Sequence, residues 1–136
     1  MLVYVDSSGL IKRAVREAES IRFINSMQAA LAAGHEFVSS TLAWIEVSRA
    51  MRNRLDSESP AEIAALTEVA LSGVGEIPIT AQVASIARRI GPPMLRTLDA
   101  IHLASATIFD VDEVWAYDRR LIDAADGLGL VTASPA

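Results

Sequence analysis

The chain has 136 residues, 51% of them hydrophobic and 21% charged, which predicts one compact domain over residues 1–136 and excludes a disordered chain. Its 12 basic and 17 acidic residues give a net charge of −5, which excludes wholesale polycationic binding to nucleic acid but leaves room for a local basic rim. The absence of cysteine excludes disulfides, thiolate zinc sites and cysteine nucleophiles, and it fits a protein of the reducing cytoplasm.

Short apolar runs alternate with helical patterns along the first half of the chain. Leu2–Val5 is a continuous apolar run typical of a strand buried on both faces, and it is too short for a signal peptide or a membrane span. The residues EFVSS predict a second short strand. Three helices are predicted around these strands. The first covers residues 10–15, with Ser7 as its N-cap, and the second covers residues 19–33, with Gly34 at its end and helical spacing at Ile21, Ile24, Met27, Gln28 and Leu31. The third covers residues 41–55 and has a stripe of Trp44, Val47, Met51 and Leu55.

Proline and glycine mark the boundaries of elements in the second half. Ser59-Pro60-Ala61-Glu62 is a capping box with proline at the first helical position, and its helix is predicted to end near Leu71, before Gly73 and Gly75. The later predicted elements are a strand over 76–79, a helix over 80–90 capped by Thr80, a helix over 95–109, a strand over 114–117, a helix over 119–125 and a strand over 130–132. This alternation predicts an α/β fold, a three-layer α/β/α sandwich around a short, mostly parallel central sheet.

Two aspartates directly follow predicted strands. Asp6 comes after LVYV and Asp118 after VWAY, so both are expected at the carboxyl ends of parallel strands, where open α/β sheets have their functional crevice. Taken singly, each is equally well explained as a helix N-cap or a turn residue. Their expected position at one edge of one sheet favours a shared function.

Two further acids lie within helical patterns. Asp99 is in the largely apolar segment LRTLDAIHLASATIF, where an ionised carboxylate needs a cation, a salt bridge or a proton. An intrahelical pair with Arg96 or His102 would satisfy it, and so would a metal ion. Glu46 points away from the Trp44 stripe on a helical wheel, so it lies either on a solvated face or against a second buried surface.

Asp6, Glu46, Asp99 and Asp118 could together form a cluster of four carboxylates. Four converging negative charges repel one another, and a hard divalent cation with oxygen ligands relieves that repulsion directly. Mg²⁺ or Mn²⁺ suits such a site, where it can activate water and stabilise the leaving oxygen of a phosphodiester.

The sequence resembles the PIN domain, and most of all the VapC toxins of type II toxin–antitoxin modules. The resemblance rests on Asp6 followed by Ser7, the helical Glu46, the run LDAIHLA at residues 98–104 and the run YDRRL at residues 117–121. It covers essentially the whole chain in length, element order and motif spacing.

The resemblance implies a Mg²⁺- or Mn²⁺-dependent endoribonuclease that leaves 5′-phosphate and 3′-hydroxyl ends. It also implies a homodimer and a cognate antitoxin that blocks the acidic pocket. Asp6, Glu46, Asp99 and Asp118 would be the catalytic and metal-binding acids, with Ser7 assisting beside Asp6. His102 belongs to the motif, and we expect it to face the core. Ala116 stands where the family often has Thr or Ser, which makes ligation through Asp118 the weakest part of the comparison.

Arginine supplies eleven of the twelve basic residues, and it can grip phosphate bidentately and stack on bases. Arg13, Arg49, Arg96 and Arg119 are the predicted RNA contacts near the acids. Apolar helix faces, such as Trp44 with Met51 or parts of residues 19–33, could serve a dimer or an antitoxin, or they could equally be core.

Other functions are compatible with parts of the pattern. A catalytically degenerate PIN-like module that only binds RNA or a partner would keep the fold without the activity. A receiver domain would need an acceptor aspartate after the third strand and a late lysine, whereas the chain has only Lys12. A haloacid-dehalogenase-type phosphatase would need aspartate where Ser8 stands.

Overall fold

The central sheet is entirely parallel. The computed structural model describes residues 1–54 and 59–136, and in it five strands pair in the order β3-β2-β1-β4-β5. The strands are β1 (Leu2–Val5), β2 (Glu36–Ser40), β3 (Val74–Ile77), β4 (Glu113–Trp115) and β5 (Val131–Ala133). Parallel strands need crossover connections, and helices supply them here.

Helices cover both faces of this sheet. They are α1 (Ser7–Ile11), α2 (Ser20–Ala32), α3 (Thr41–Arg54), α4 (Pro60–Leu71), α5 (Ala81–Ala87), α6 (Thr97–Ile108) and α7 (Arg119–Gly127). Because side chains alternate along a strand, Val3 and Val5 of β1 join one hydrophobic cluster while Tyr4 joins the other. The first cluster is completed by α1 to α4 and the second by α6 and α7. The predicted three-layer α/β/α sandwich is therefore confirmed.

Several element boundaries differ from the sequence prediction. Asp6, not Ser7, caps α1, since its side chain accepts a hydrogen bond from the Gly9 N–H. Strand β3 begins two residues earlier than predicted and ends before Pro78, which has no N–H to donate to a neighbouring strand. Ser59 is confirmed as the N-cap of α4, because its Oγ accepts from the Glu62 N–H at 3.4 Å. Leu55, the last residue of the predicted stripe on α3, lies outside the described residues.

Helix α2 buries only part of the apolar set at helical spacing. Phe23 and Met27 are fully buried, whereas Ile21 is 59% exposed and Leu31 is 39% exposed. The buried positions follow helical spacing, but their stripe is centred on the aromatic ring of Phe23, which packs against Trp115. Met51 on α3 is fully buried, so it belongs to the core and not to an exposed docking face.

In the described part of the chain, no helix is both long enough and apolar enough to cross a membrane.

The central strands β1 and β4 deliver two acids to the same edge. Their register aligns Val5 with Trp115, and the Asp6 N–H donates to the Trp115 carbonyl at 3.2 Å. The chain then turns into α1 after Asp6 and into α7 after Asp118. The carboxyl ends of the two strands therefore face the same crevice.

Candidate active site

The four acids singled out from the sequence line one cavity of about 290 Å³. They come from four separate places in the fold: the end of β1, helix α3, the first turn of α6 and the start of α7. The full lining is Asp6, Ser7, Ser8, Glu46, Arg96, Thr97, Leu98, Asp99, His102 and Asp118. The fold thus brings together side chains that are up to 112 positions apart, from Asp6 to Asp118.

Asp6 is the most deeply buried of the four, at 5% exposure. Its Oδ1 accepts hydrogen bonds from Ser8 Oγ at 2.6 Å and from the Gly9 N–H at 3.4 Å. Burial raises the pKa of this carboxyl above its ordinary value. No hydrogen bond among the described residues uses Oδ2, and no buried polar side-chain atom there lacks a partner, so Oδ2 is accessible to solvent.

Ser8, which the sequence analysis did not select, joins two of the strand ends. Its hydroxyl donates to Asp6 and accepts a hydrogen bond from the Tyr117 N–H at 3.2 Å. Tyr117 directly precedes Asp118, so one hydroxyl links the segments that carry two of the four acids. A side chain two residues after a strand-end aspartate is well placed for such a bond, and this spacing could have identified it.

Glu46 is held by partners from two other helices. Its Oε1 accepts from Ser7 Oγ at 3.0 Å and lies 2.7 Å from His102 Nε2. Glu46 therefore faces a second packed surface, not open solvent. Within the cavity Ser7 supports Glu46 and Ser8 supports Asp6, and an assisting role of Ser7 in catalysis stays a prediction.

His102 is buried, as expected, but it does more than fill the core. Its Nδ1 lies 2.6 Å from the Tyr4 hydroxyl, which accepts a hydrogen bond from the Ser40 N–H at 3.2 Å. Burial raises the pKa of Tyr4, so its oxygen keeps its proton. With the Tyr4 O–H donating to Nδ1, the pattern assigns the His102 proton to Nε2, where it is donated to Glu46.

Asp99 is the acid with the fewest partners. It makes no hydrogen bond and no ion pair in the described part of the chain, so the intrahelical pair with Arg96 or His102 is not formed there. Burial, and then the negative charge of Asp118, raise the pKa of Asp99. His102 and Arg96 lower the pKa of Asp99 by less than burial and Asp118 raise it, so these neighbours compensate the carboxylate only in part.

Asp118 lies at the mouth of the cavity and also caps α7. Its Oδ1 accepts from the Arg120 N–H at 2.8 Å and from the Leu121 N–H at 3.3 Å. The N-cap explanation therefore holds for Asp118 and for Asp6, yet in each case it uses only one carboxylate oxygen. Ala116 is fully buried and is not part of the cavity lining.

The donor atoms around the cavity are of the type that binds a hard cation, but the acidic side chains are not close together. Carboxylate and hydroxyl oxygens are the donors that Mg²⁺ and Mn²⁺ prefer. Within residues 1–54 and 59–136, no three His, Asp or Glu side chains are grouped closely enough to hold a metal ion directly. Mg²⁺ commonly binds through one or two carboxylates and keeps several waters, and an acidic cavity of about 290 Å³ has room for an ion bound in that mode.

Three of the four predicted RNA-contacting arginines are exposed on or near this side of the molecule. Arg96 lines the cavity. Arg119 follows Asp118 and is 83% exposed, with a pairing to Asp123 at 3.4 Å. Arg49 is exposed on α3, one turn after Glu46.

Arg13 has a structural task instead. Its Nη1 donates to the Ala70 carbonyl at 2.9 Å and to the Ser72 carbonyl at 2.6 Å. These carbonyls belong to the end of α4, whose last turn has no intrahelical donors for them. Arg13 therefore caps α4, and its role in RNA binding stays a prediction.

Lys12, the single lysine, is buried beside the segment that leads to Asp118. It pairs with Glu19 at 2.9 Å and Glu17 at 3.4 Å, and its Nζ lies 4.4 Å from the centre of the Tyr117 ring. Burial raises the pKa of Tyr117 to about 12, and its hydroxyl donates to the Pro135 carbonyl. This packing fixes the chain just before Asp118.

Comparisons with known proteins identify the family. The family model described as "PIN domain" matches residues 3–127. Ribonuclease VapC46 of Mycobacterium tuberculosis is 39% identical over 135 residues, covering 98% of this chain and 97% of that protein. Ribonuclease VapC47 of the same species is 34% identical over 136 residues, with the same coverage.

Solved structures agree at the level of the fold. A chain of the VapBC2 complex of Rickettsia felis, bound to a promoter DNA fragment, has a TM-score of 0.73 at 10% identity, and 98% of each chain is covered. VapC20 of Mycobacterium tuberculosis, a toxin that cleaves the sarcin–ricin loop, has a TM-score of 0.71 at 16% identity and coverage of 98% and 99%. The chain therefore belongs to the PIN-domain family, in its group of VapC ribonucleases.

Proposed function

We propose that this chain is a toxin endoribonuclease that hydrolyses RNA phosphodiester bonds at the cavity lined by the four acids. The observation that carries the proposal is the convergence of Asp6, Glu46, Asp99 and Asp118 on one small cavity at the carboxyl edge of the sheet. Relatives at 34–39% identity over nearly the whole chain are named as ribonucleases, which supports the same reaction class.

A divalent cation completes this proposal, with Mg²⁺ or Mn²⁺ as the ion. Asp6 and Asp99 would hold it, and Glu46 and Asp118 would complete the site or orient water. When bound, such an ion activates water near neutral pH and offsets negative charge on the phosphate and the leaving oxygen. The raised pKa values of Asp6 and Asp99 support this assignment, because both carboxylates carry an uncompensated cost that a cation would remove.

The protein's own residues then have separable tasks. Ser7 and His102 fix one oxygen of Glu46, so its carboxylate is oriented before substrate arrives. Arg96 at the cavity, with Arg49 and Arg119 nearby, would bind backbone phosphates and offset the acidic field that RNA meets. The expected products carry 5′-phosphate and 3′-hydroxyl ends.

The partners we propose are RNA, a cognate antitoxin that covers the acidic cavity, and a second copy of this chain. The VapBC2 structure, one chain of which shares this fold, is a complex bound to DNA, which supports an antitoxin partner here. The exposed Ile21 and Leu31 on α2 offer apolar surface for such contacts. A cytoplasmic location is consistent with a chain that has no cysteine.

The test is cleavage of a labelled single-stranded RNA by purified protein with Mg²⁺, with Mn²⁺ and with EDTA. We expect cleavage only with the metal ions, products with 5′-phosphate ends, and Mn²⁺ binding in calorimetry. The double variant Asp6→Asn/Asp99→Asn, purified in parallel, guards against a contaminating nuclease. Cleavage that persists in EDTA or in the double variant would contradict the mechanism. RNA binding without cleavage or Mn²⁺ binding would favour the degenerate binding module.

A further inference from the structure

A second cavity, of about 640 Å³, lies between α5 and α6, and we call it the arginine groove. The residues that matter in its lining are Arg88, Arg89, Pro92, Leu95, Thr97 and Ile101. Among the described residues it is lined by two arginines and no acid, in a chain whose acids outnumber its basic residues by 17 to 12. The groove is thus positively charged although the chain as a whole is negatively charged.

Neither guanidinium in the groove is neutralised. Arg88 ends α5, is exposed, and its side chain makes no hydrogen bond or ion pair with a described residue. Arg89, just after α5, is also exposed, and its side chain has one long hydrogen bond, 3.4 Å from Nη1 to the Ser85 carbonyl of that helix. These two are free to bind an anion.

The arginine groove adjoins the acidic cavity. Thr97, the first residue of α6, lines both, and Arg96 just before it lines the acidic cavity. An RNA strand that is cleaved at the four acids could therefore continue past Arg96 and Thr97 to Arg88 and Arg89.

The rest of the groove suits nucleotides better than a simple anion. Pro92, Leu95 and Ile101 provide apolar surface beside the two guanidiniums, and single-stranded RNA is bound by phosphate contacts together with packing of its bases. No aromatic ring lines the groove among the described residues, so we expect little base preference there. The carboxylates of an acidic peptide could bind the two guanidiniums, but they would make no contact with the apolar surface.

We propose that the arginine groove binds the single-stranded RNA that flanks the cleaved phosphate, with Arg88 and Arg89 contacting successive backbone phosphates. This inference rests on the proposed ribonuclease function and adds a binding subsite to it. Local sequence patterns do not single out either arginine, because neither is near an acid along the chain.

The first test is binding of a fluorescein-labelled single-stranded RNA, followed by anisotropy in EDTA over a series of KCl concentrations. Arg88→Gln/Arg89→Gln should weaken binding about tenfold and reduce the salt slope of log K by roughly 1.4, since each phosphate contact to a single strand contributes about 0.7. The matched control Arg16→Gln/Arg22→Gln removes the same charge from exposed positions that do not line either cavity. It should retain the wild-type slope.

Cleavage kinetics give the second test. With Mn²⁺, the groove variant should raise KM for the same RNA several-fold and leave kcat unchanged. A wild-type slope in the groove variant, or an equal loss in the control, would overturn the proposal. Competition for the groove by poly-glutamate but not by poly-uridylate would assign it to an acidic peptide and overturn it as well. The binding assay involves no turnover, so an inactive wild-type protein would contradict the proposed function alone.

Discussion

The two sides of the acidic cavity are built differently. On one side, Asp6 and Glu46 are locked by hydrogen bonds from Ser8, Ser7 and His102. On the other side, Asp99 makes no hydrogen bond or ion pair among the described residues. Its neighbour Asp118 is bonded only through Oδ1, to the first turn of α7.

This difference indicates that the two sides of the cavity have different roles. The bonded side has fixed geometry before any ligand arrives, and such preorganisation is what stabilises charge in a reaction efficiently. The unbonded side keeps carboxylate oxygens available, and the repulsion between Asp99 and Asp118 is relieved when a cation enters. Variants on each side should therefore fail in different ways.

The largest effect is expected when a carboxylate at the cavity loses its charge. Asp99→Asn and Asp6→Asn should each lower kcat for RNA cleavage by about a thousandfold, at the upper end of the losses seen when one electrostatic contact to the transition state is removed. The measurement is single-turnover cleavage of a labelled RNA with Mn²⁺. If both sides of the cavity share the cation, the double variant should be little worse than either single variant.

Asp110→Asn is the matched control for these two variants. Asp110 is exposed, lies outside the acidic cavity and has φ of 49°, a conformation that Asn tolerates well. It should cleave RNA at the wild-type rate. Equal activity in Asp110→Asn and Asp99→Asn would contradict any role for the unbonded side.

The next effect concerns the partner that locks Glu46. His102→Leu keeps an apolar side chain in the core but removes the donor to Glu46, and we expect a loss of about 10- to 100-fold in cleavage or in Mn²⁺ affinity. His102→Gln can place an amide N–H near the position of Nε2 and should restore most of the loss. Calorimetry with Mn²⁺ separates this positioning role from a purely structural one. Equal behaviour of the Leu and Gln variants would contradict it.

Much of the fold could be predicted from local patterns. Leu2–Val5 is a short apolar run, and Ser59 with Pro60 is a strong helix start, so both were located correctly. Helix α2 was less predictable, because its apolar residues occupy more than one face and only packing shows that Phe23, not Ile21, faces the sheet. The order of strands also agrees with the general rules for parallel sheets.

The inner organisation of the site could not be predicted in the same way. Strand-end positions indicated that Asp6 and Asp118 would be close, and the residue types suggested a shared ion. The bonds from Ser7 to Glu46 and from His102 to Tyr4 join residues 39 and 98 positions apart, and no local periodicity encodes them. A single sequence shows which residues are polar, while only the fold shows which polar residues meet.

A smaller effect on cleavage is expected from Tyr4, which contacts the cavity residue His102 but does not line the cavity itself. Tyr4→Phe removes the donor to His102 Nδ1 and the acceptor of the Ser40 N–H, both of them buried. Leaving a buried N–H without a partner costs about 1–3 kcal/mol, so the free energy of unfolding should fall by that amount. Cleavage should fall only several-fold, since Glu46 keeps its bond from Ser7. Urea unfolding and cleavage on the same preparation measure both, and unchanged stability would contradict the structural role of the Tyr4 hydroxyl.

The smallest expected effect is on the stability of the metal-free protein, which the loss of a carboxylate charge should increase. Burial raises the pKa of Asp6, and burial together with Asp118 raises the pKa of Asp99, so the folded chain binds these protons more tightly than the unfolded chain does. The stability that each group contributes is therefore present below its ordinary pKa and is lost as the pH rises through its raised value.

In EDTA at neutral pH, Asp99→Asn should consequently raise Tm, because the variant removes the charge whose burial beside Asp118 is unfavourable. Asp6→Asn should do the same, because an Asn amide oxygen can still accept the bonds from Ser8 and Gly9. The gain should shrink as the pH is lowered, where the wild-type carboxyls take up protons, and it should reverse when Mn²⁺ stabilises the wild type alone. A variant less stable than the wild type in EDTA at neutral pH would show that its carboxylate is compensated within the chain itself, and the cavity would then have no electrostatic reason to bind a cation.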